Sequence, residues 1–388
     1  MSSRLSRHLC LQDFEATARR RLPRAVFDYI RGGAEEGASL KANRRQFDAW
    51  GFRPAALVDT HGRHTCNQVL GDTWSLPLGI APMGACGLAS FRADLAMAAA
   101  AAKANIPYVL SGASLLPLER ILAINPDTWF QAYLPPEPEA VSALLRRAEV
   151  AGCRTLVITA DVPVLGYREA DIRNGFASPL RPSWRLAWDG LSHPAWLLGT
   201  FLRTLWREGM PHFENFGGGR GAPLLSRHAP PRRHQRDRLD WEGVARLRDA
   251  WPHRLILKGL LDPEDGRRAA GQGIDAAWIS NHGGRQLDGA VAPLTVLREF
   301  AAAAPALPLL CDGGVRRGTD ILKAMGLGAG QVFIGRPFLY AAVAGGEAGV
   351  LHAIELLRVE LDRGLALLGC RHVGEVAARL VPEDLGTR

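Results

Sequence analysis

The chain has 388 residues, 47% of them apolar, with 47 Lys and Arg against 39 Asp and Glu for a formal charge of +8. That apolar content supplies a sizeable core and excludes a chain disordered throughout, while the modest basic excess suits a soluble surface as well as it suits anionic substrates, phosphates or lipid headgroups. Six cysteines (Cys10, Cys66, Cys86, Cys153, Cys311, Cys370) form no C-x-x-C pair, so neither a zinc site nor a disulfide framework is indicated and no metal is expected.

At the amino end Arg4, Arg7, Arg19, Arg20 and Arg21 accompany no continuous apolar run, which argues against a signal peptide. No later run approaches the roughly 20 apolar residues of a spanning helix, so the expected location is cytoplasmic. Residues 13–32 read as extra helices. Eight apolar, β-rich runs follow at 76–82, 108–111, 128–133, 155–161, 254–259, 276–282, 309–312 and 331–335. Most are continuous rather than alternating, as parallel strands covered on both faces are. Helical patterns at 93–104, 137–151, 263–272, 317–326 and 347–368 lie between them. Such alternation predicts an α/β protein. Eight units predict a (β/α)8 TIM barrel with extra N-terminal helices, filling 1–388 as a single domain. A doubly wound sheet would place G-x-G-x-x-G directly after its first strand. The glycine cluster Gly326-Leu327-Gly328-Ala329-Gly330 instead precedes a strand with the wrong spacing, and there is no G-x-x-x-x-G-K-[ST] loop.

One long insertion follows the fourth strand. About ninety residues separate Asp161 from Arg254, more than one helical connection requires, and 177–240 carries the excess. Trp184, Trp188, Trp196 and Trp206 lie in it. Leu198, Phe201, Leu202, Leu205 and Trp206 repeat at i, i+3, i+4, i+7 and i+8, with Arg203 and Arg207 interleaved. Two readings fit: an interfacial helix on an anionic lipid surface, or a helix packed on the barrel. Gly217–Gly221 and the Arg/His-rich 227–238 read as a mobile connector. A nucleic-acid patch is the weaker reading of that basic run, and no nucleic-acid partner is expected.

Polar residues gather at the strands' carboxyl ends: Met83-Gly84, Ser111, Tyr133, Asp161, Lys258, His282, Asp312-Gly313-Gly314 and Gly335-Arg336. Barrel active sites are built on that face, with phosphate commonly held after strands seven and eight. His282, flanked by glycines and followed three residues later by Arg285, combines a base with a carboxylate-binding fork. Proton abstraction needs such an imidazole and a carboxylate to hold it, for which Asp161 is the candidate. Lys258 ends an apolar strand, where an ammonium is costly unless it meets an anion; Schiff-base chemistry and neutralisation of an anionic cofactor fit it equally. Arg168 and Arg285 can each grip a carboxylate. Asp312–Gly318 and Gly335-Arg336 offer open amides and guanidinium groups, a credible phosphate cradle.

Ser280-Asn281-His282-Gly283-Gly284-Arg285-Gln286-Leu287-Asp288, the Lys258-Gly259 strand end, Asp312–Gly318 and Ile334-Gly335-Arg336-Pro337 together resemble the FMN-dependent 2-hydroxy acid dehydrogenases. That family includes glycolate oxidase, lactate oxidase, and bacterial L-lactate and (S)-mandelate dehydrogenases. The likeness spans nearly the whole chain, including Leu22-Pro23, Asp28-Tyr29, Trp129–Tyr133 and Gly166–Asp171. The segments His193–Trp196 and Gly209–His212 are most similar to the membrane-associated bacterial branch.

The resemblance implies FMN as cofactor and a small 2-hydroxy acid, mandelate-like or lactate-like, as substrate. It implies His282 as base with Asp161 as partner, and Tyr29, Tyr133, Arg168 and Arg285 as substrate-orienting groups. Lys258 would lie on the N1 side of the flavin. Pro82, Met83, Gly84, Ser111, Gln131, Thr159, Ser280, Asp312, Gly314, Arg316, Gly335 and Arg336 match flavin- or phosphate-contacting positions. A homotetramer, a membrane quinone as electron acceptor and a peripheral place at the inner face of the cell membrane are also implied. Three departures stand out. Met83 replaces a more usual threonine. Residues 90–94 replace a glycine-containing loop. Ala113 stands where glycolate oxidase-like members carry tryptophan, which favours a larger or aromatic side chain. Gly84 resembles the quinone-linked members, where soluble oxidases usually have alanine. The alternatives are a soluble oxidase using oxygen, another type of FMN barrel, and a non-catalytic membrane-associated barrel. The last has no use for Asp161, Lys258, His282 and Arg285 together.

Overall fold

The computed structural model describes residues 5–176, 180, 183–225 and 236–383. Its centre is an eight-stranded parallel sheet: β1 (Leu78–Ile80), β2 (Val109–Ser111), β3 (Trp129–Ala132), β4 (Thr155–Thr159), β5 (Arg254–Leu260), β6 (Ala276–Ile279), β7 (Leu309–Asp312) and β8 (Gln331–Ile334). Each strand pairs with its neighbour in sequence. β8 returns to β1 with Ile334 opposite Ile80, and an Ile80–Tyr108 bridge joins β1 to the start of β2, closing the TIM barrel. All eight expected strands are present. Their continuous apolar runs follow from burial on both faces, since strands β2, β3, β4, β6, β7 and β8 are buried at every position.

Val109, Trp129, Val157, Ile256, Trp278, Leu310 and Phe333 fill the lumen, where Phe333 lies 4.1 Å from Trp278 and 5.4 Å from Trp129 between ring centroids. Val69 and Trp74 join this cluster from an antiparallel hairpin, Asn67–Val69 with Asp72–Trp74, which also ion-pairs Asp72 to Arg254 at the start of β5. The alternate strand residues, among them Leu110, Leu156, Ile158, Leu255 and Leu257, face the surrounding helices. Helices Ala93–Ala104, Pro138–Val150, Pro263–Gly271 and Gly318–Gly326 stand where the periodicity places them. The last expected helix, 347–368, also stands in place; a separate helix starting at Arg336 precedes it, and non-helical Gly345-Gly346 divides the two. Leu118–Leu122, Trp241–Ala250 and Pro293–Ala303 complete the outer layer.

The expected amino-terminal helices are Leu11–Arg21 and Arg24–Arg31, and a third, Ala38–Arg45, follows. Asp288 fastens the third by accepting from the Ala38 and Ser39 amides at 3.0 and 2.8 Å, offering negative charge to a helix start. Asn43 and Asn281 exchange reciprocal amide hydrogen bonds of 2.7 Å, holding this helix to the end of β6.

Within the insertion, Trp184–Leu191 is followed by a nearly continuous helix through Pro194–Trp196, Leu197–Leu202 and Arg203–Glu208, with π-type winding in its middle piece. Of the two expectations for this segment, packing on the barrel is met on one face. Trp196 donates its indole N–H to the Leu88 carbonyl at 2.7 Å, and Glu208 ion-pairs with Arg92 and Arg120, so one face packs on the barrel. Phe201 and Leu205 are half-buried, whereas Leu198, Leu202 and Trp206 are exposed; the extra residue per turn of the π segment divides the apolar stripe that regular helical spacing would unite. Trp184, Trp188 and Trp206 are 92%, 75% and 76% exposed. Of the basic run 227–238, residues 227–235 lie outside the described residues. In the divergent loop at 90–94, Arg92 takes a left-handed conformation (φ +55°) that starts helix Ala93–Ala104, and Asp94 is buried against the Tyr108 hydroxyl.

Candidate active site

His282 follows β6 in the left-handed region, at φ +56°, a strained position for a residue with a side chain. The Ser280 hydroxyl accepts its amide at 3.0 Å and steadies the turn. This conformation sets the imidazole Nδ1 3.2 Å from Asp161 Oδ1, across from the end of β4. Gly259 is what admits the carboxylate: its φ is +100°, and a Cβ there would lie 2.4 Å from Asp161 Cγ. The Gln286 side chain donates to the Asp161 and Val164 carbonyls at 3.0 and 2.9 Å, fixing the loop behind the pair. With Nδ1 engaged, Nε2 is the histidine nitrogen left for a ligand.

Arg285 and Arg336 close the amino-terminal side. Arg285 Nη1 donates to the Tyr29 and Gly32 carbonyls at 2.7 and 2.9 Å, and its guanidinium stands 5.1 Å from the Tyr29 ring centroid. Arg336 donates to the Ile30, Gly32 and Gly283 carbonyls at 2.8, 2.8 and 3.0 Å. Both therefore engage the cationic-friendly carboxyl end of helix Arg24–Arg31. Burial lowers Arg285 to about 9 and Arg336 to about 10, with Arg168 repelling both. Burial likewise lowers Arg316. Buried cations of this kind are costly unless an anion joins them. Arg168 reaches the Arg285 carbonyl and the Gln286 side chain at 3.3 Å each.

A second polar group crosses three strands. Lys258 Nζ donates to Asp312 Oδ2 at 2.6 Å and to Ser280 Oγ at 2.7 Å, and Ser280 Oγ donates to Asp312 Oδ1 at 2.6 Å. A third runs along β2, β3 and β4: Ser111 donates to Gln131 Oε1 and Gln131 Nε2 to Thr159, both at 2.9 Å.

These groups meet around one cavity of about 430 Å³ at the carboxyl face of the barrel. Tyr29, Tyr133, Arg168, Lys258, His282 and Arg285 line it. So do Pro82, Met83, Gly84, Gln131 and Thr159 on one side, and Asp312, Gly314, Arg316, Gly335 and Arg336 on another. Ser111, Asp161 and Ser280 do not border it. They stand one layer behind, each bonded to a lining side chain. Sequence reasoning missed Gln286 and Asn43 as the groups that hold the His282 turn. It also missed an aromatic wall: Phe176, Phe213 and Phe216 line the cavity, with Phe216 stacked 6.1 Å from Tyr133 and edge-on to Phe213 at 5.5 Å. No spacing signal marks the last two, since the path of the insertion alone brings them in.

A sequence profile for FMN-dependent dehydrogenases matches residues 18–383. The chain belongs to this family. It is 42% identical to (S)-mandelate dehydrogenase of Pseudomonas putida over 361 residues, 93% of this chain and 90% of that one. It is 38% identical to an L-lactate oxidase of Nostoc sp. over 378 residues, 96% of this chain and 97% of the relative. The crystal structure of the monotopic membrane protein (S)-mandelate dehydrogenase superposes with a TM-score of 0.88 at 40% identity, covering 97% of this chain and all of that one. The protein is therefore an FMN-dependent 2-hydroxy acid dehydrogenase or oxidase, and FMN is its cofactor. The cavity fits that group on its own terms. Burial depresses Arg285 and Arg336, which an added anion would relieve, glycine-bearing turns line it, and its volume lies in the range of small-molecule sites.

Proposed function

We propose that the protein oxidises an aromatic, mandelate-like L-2-hydroxy acid to its 2-oxo acid, with His282 as the base. The observation that carries this reading is a single cavity joining the His282–Asp161 pair, Arg168 and Arg285 to the Phe176, Phe213 and Phe216 wall. Ala113 contributes only a methyl group to the same lining. Arg168 and Arg285 bind the substrate carboxylate, and Tyr29 and Tyr133 orient the carboxylate and hydroxyl. His282 Nε2 accepts the proton lost from the substrate, and Asp161 stabilises the resulting imidazolium through Nδ1. Bound FMN supplies the two-electron acceptor. Gly314, Arg316, Gly335 and Arg336 hold its phosphate, and Pro82, Met83, Gly84, Gln131, Thr159 and Lys258 line its ring system and ribityl chain. The aromatic wall excludes water while the charged groups fix the reacting carbon.

Filling the space at Ala113 tests the substrate assignment. In Ala113→Trp, kcat/KM for (S)-mandelate is expected to fall about 100-fold, with a change under about tenfold for glycolate, as overpacking penalises the larger substrate selectively. Equal losses on both acids would remove Ala113 as the determinant.

Electrons are proposed to leave through a membrane quinone. Glycine at 84 is consistent with the quinone-linked pattern, and here a Cβ would stand only 2.9 Å from Ala113 Cβ. Among the described residues no helix is long and apolar enough to cross a membrane. The exposed Trp184, Trp188, Leu198, Leu202 and Trp206 instead suit docking on an anionic lipid surface at the inner face of the cell membrane, with Arg203 and Arg207 at headgroup level. Replacing Trp184, Trp188 and Trp206 by serine should weaken sedimentation with anionic vesicles by about 100-fold or more, given roughly 2 kcal/mol per buried side chain, while flavin reduction persists. Undiminished vesicle binding would refute the lipid contact.

A further inference from the structure

Lys258 and Asp312 face the cavity as a closed ion pair rather than as two separate charges. They lie on β5 and β7, with Ser280 from the end of β6 between them, and the three side chains form a hydrogen-bonded ring of 2.6, 2.7 and 2.6 Å. Strand pairing sets this arrangement, since Lys258 is opposite Trp278 and Cys311 is opposite Ile279. The Lys258 and Asp312 side chains are 5% and 11% exposed, and the Trp278 ring lies 4.8 Å from the ammonium. Water is thus largely absent from the pair, and Asp312 is the anion set directly against the lysine.

We infer that Asp312 tunes the reduction potential of the flavin by neutralising Lys258. The inference rests on Lys258 lying against the flavin, as proposed above. Reduction adds negative charge to that ligand. A lone buried ammonium would favour the reduced form strongly, because its field is poorly screened at low dielectric. A carboxylate 2.6 Å from the same ammonium turns the charge into a short dipole, whose field fades faster with distance. Asp312 therefore holds the potential below the value that Lys258 alone would give, and so keeps the reduced cofactor able to pass electrons onward. Ser280 holds the two charged groups in register without changing their sum. Asp312 is accordingly a positioning and field-setting residue, distinct from a phosphate ligand.

A merely structural role predicts the opposite sign. If Asp312 only kept Lys258 in place, its loss would release the lysine and leave the potential unchanged or lower. The test is the midpoint potential of the holoenzyme, read by equilibration with a reference dye. Asp312→Asn is expected to shift the oxidised-to-reduced equilibrium at least tenfold towards reduced flavin, about +30 mV for a two-electron couple. Ser280→Ala retains both charges and should shift it less than threefold. A fall or no change in Asp312→Asn, or a tenfold shift in Ser280→Ala, overturns the proposal. Should Asp312→Asn not retain flavin, the double variant Lys258→Met/Asp312→Asn decides. With both charges gone it should stay within threefold of the wild type, whereas Lys258→Met alone falls at least tenfold. A double variant as low as the single one overturns the inference. A wild-type protein that binds no flavin would instead defeat the placement of the cofactor, a separate outcome visible as loss of colour.

Discussion

His282→Gln is expected to lower kcat for (S)-mandelate by about 10³-fold or more, and to abolish rapid anaerobic bleaching of the bound flavin. General bases commonly contribute 10²–10⁴-fold, and in the proposed reaction Asp161 stabilises the imidazolium that proton transfer creates. Glutamine is close in size to the imidazole whose Nδ1 stands 3.2 Å from Asp161. It cannot accept the substrate proton. Flavin content should be retained, because the groups assigned to the cofactor lie on β3, β4 and β5 and in the loops after β1, β7 and β8. The backbone at 282 sits at φ +56°, so circular dichroism and flavin occupancy should accompany the kinetics. A variant that binds flavin normally and still bleaches at the wild-type rate would remove His282 from the base position.

Arg285→Met is expected to lower kcat/KM for the same acid by about 10²–10³-fold, through loss of charge-assisted hydrogen bonds worth roughly 1.5–3 kcal/mol each. Arg285 has a second task, since Nη1 holds the Tyr29 and Gly32 carbonyls. Two controls separate these roles. Arg285→Lys keeps a positive charge without the planar fork and should recover about tenfold of the loss. Added guanidinium should restore turnover in Arg285→Met if the missing group is the carboxylate clamp rather than the helix fastening. Burial and the neighbouring Arg168 and Arg336 hold Arg285 down to about 9, so a substrate carboxylate bound there is expected to offset the cost of its charge. Unaltered kcat/KM would show that the carboxylate binds elsewhere.

The barrel was legible because its strands are buried on both faces, which writes continuous apolar runs such as Thr155–Thr159 and Leu309–Asp312 into the sequence. The hairpin at 67–74 was not legible: three residues per strand are too short for a period-two pattern, although Trp74 and Val69 close the barrel floor. Helix Leu118–Leu122 is similarly short, whereas Trp241–Ala250 follows the basic run that dominated its surroundings. Site residues were legible where they sit at strand ends, His282 and Lys258 above all. Ser111 and Ser280 matched ligand positions by resemblance, yet the fold uses them to hold Gln131 and Lys258 from behind. That distinction depends on contacts between the ends of different strands, which no single strand's pattern records. Phe213 and Phe216 depend on a still longer-range fact, the return of the insertion over the cavity mouth.

Anaerobic mixing of the purified protein with (S)-mandelate, L-lactate and glycolate tests the central claim most directly. The account predicts a yellow protein whose oxidised-flavin band bleaches with (S)-mandelate, yielding one equivalent of the 2-oxo acid per flavin, at least tenfold faster than with glycolate. A colourless protein that takes up no FMN, or a flavoprotein that none of the three acids reduces, would contradict it.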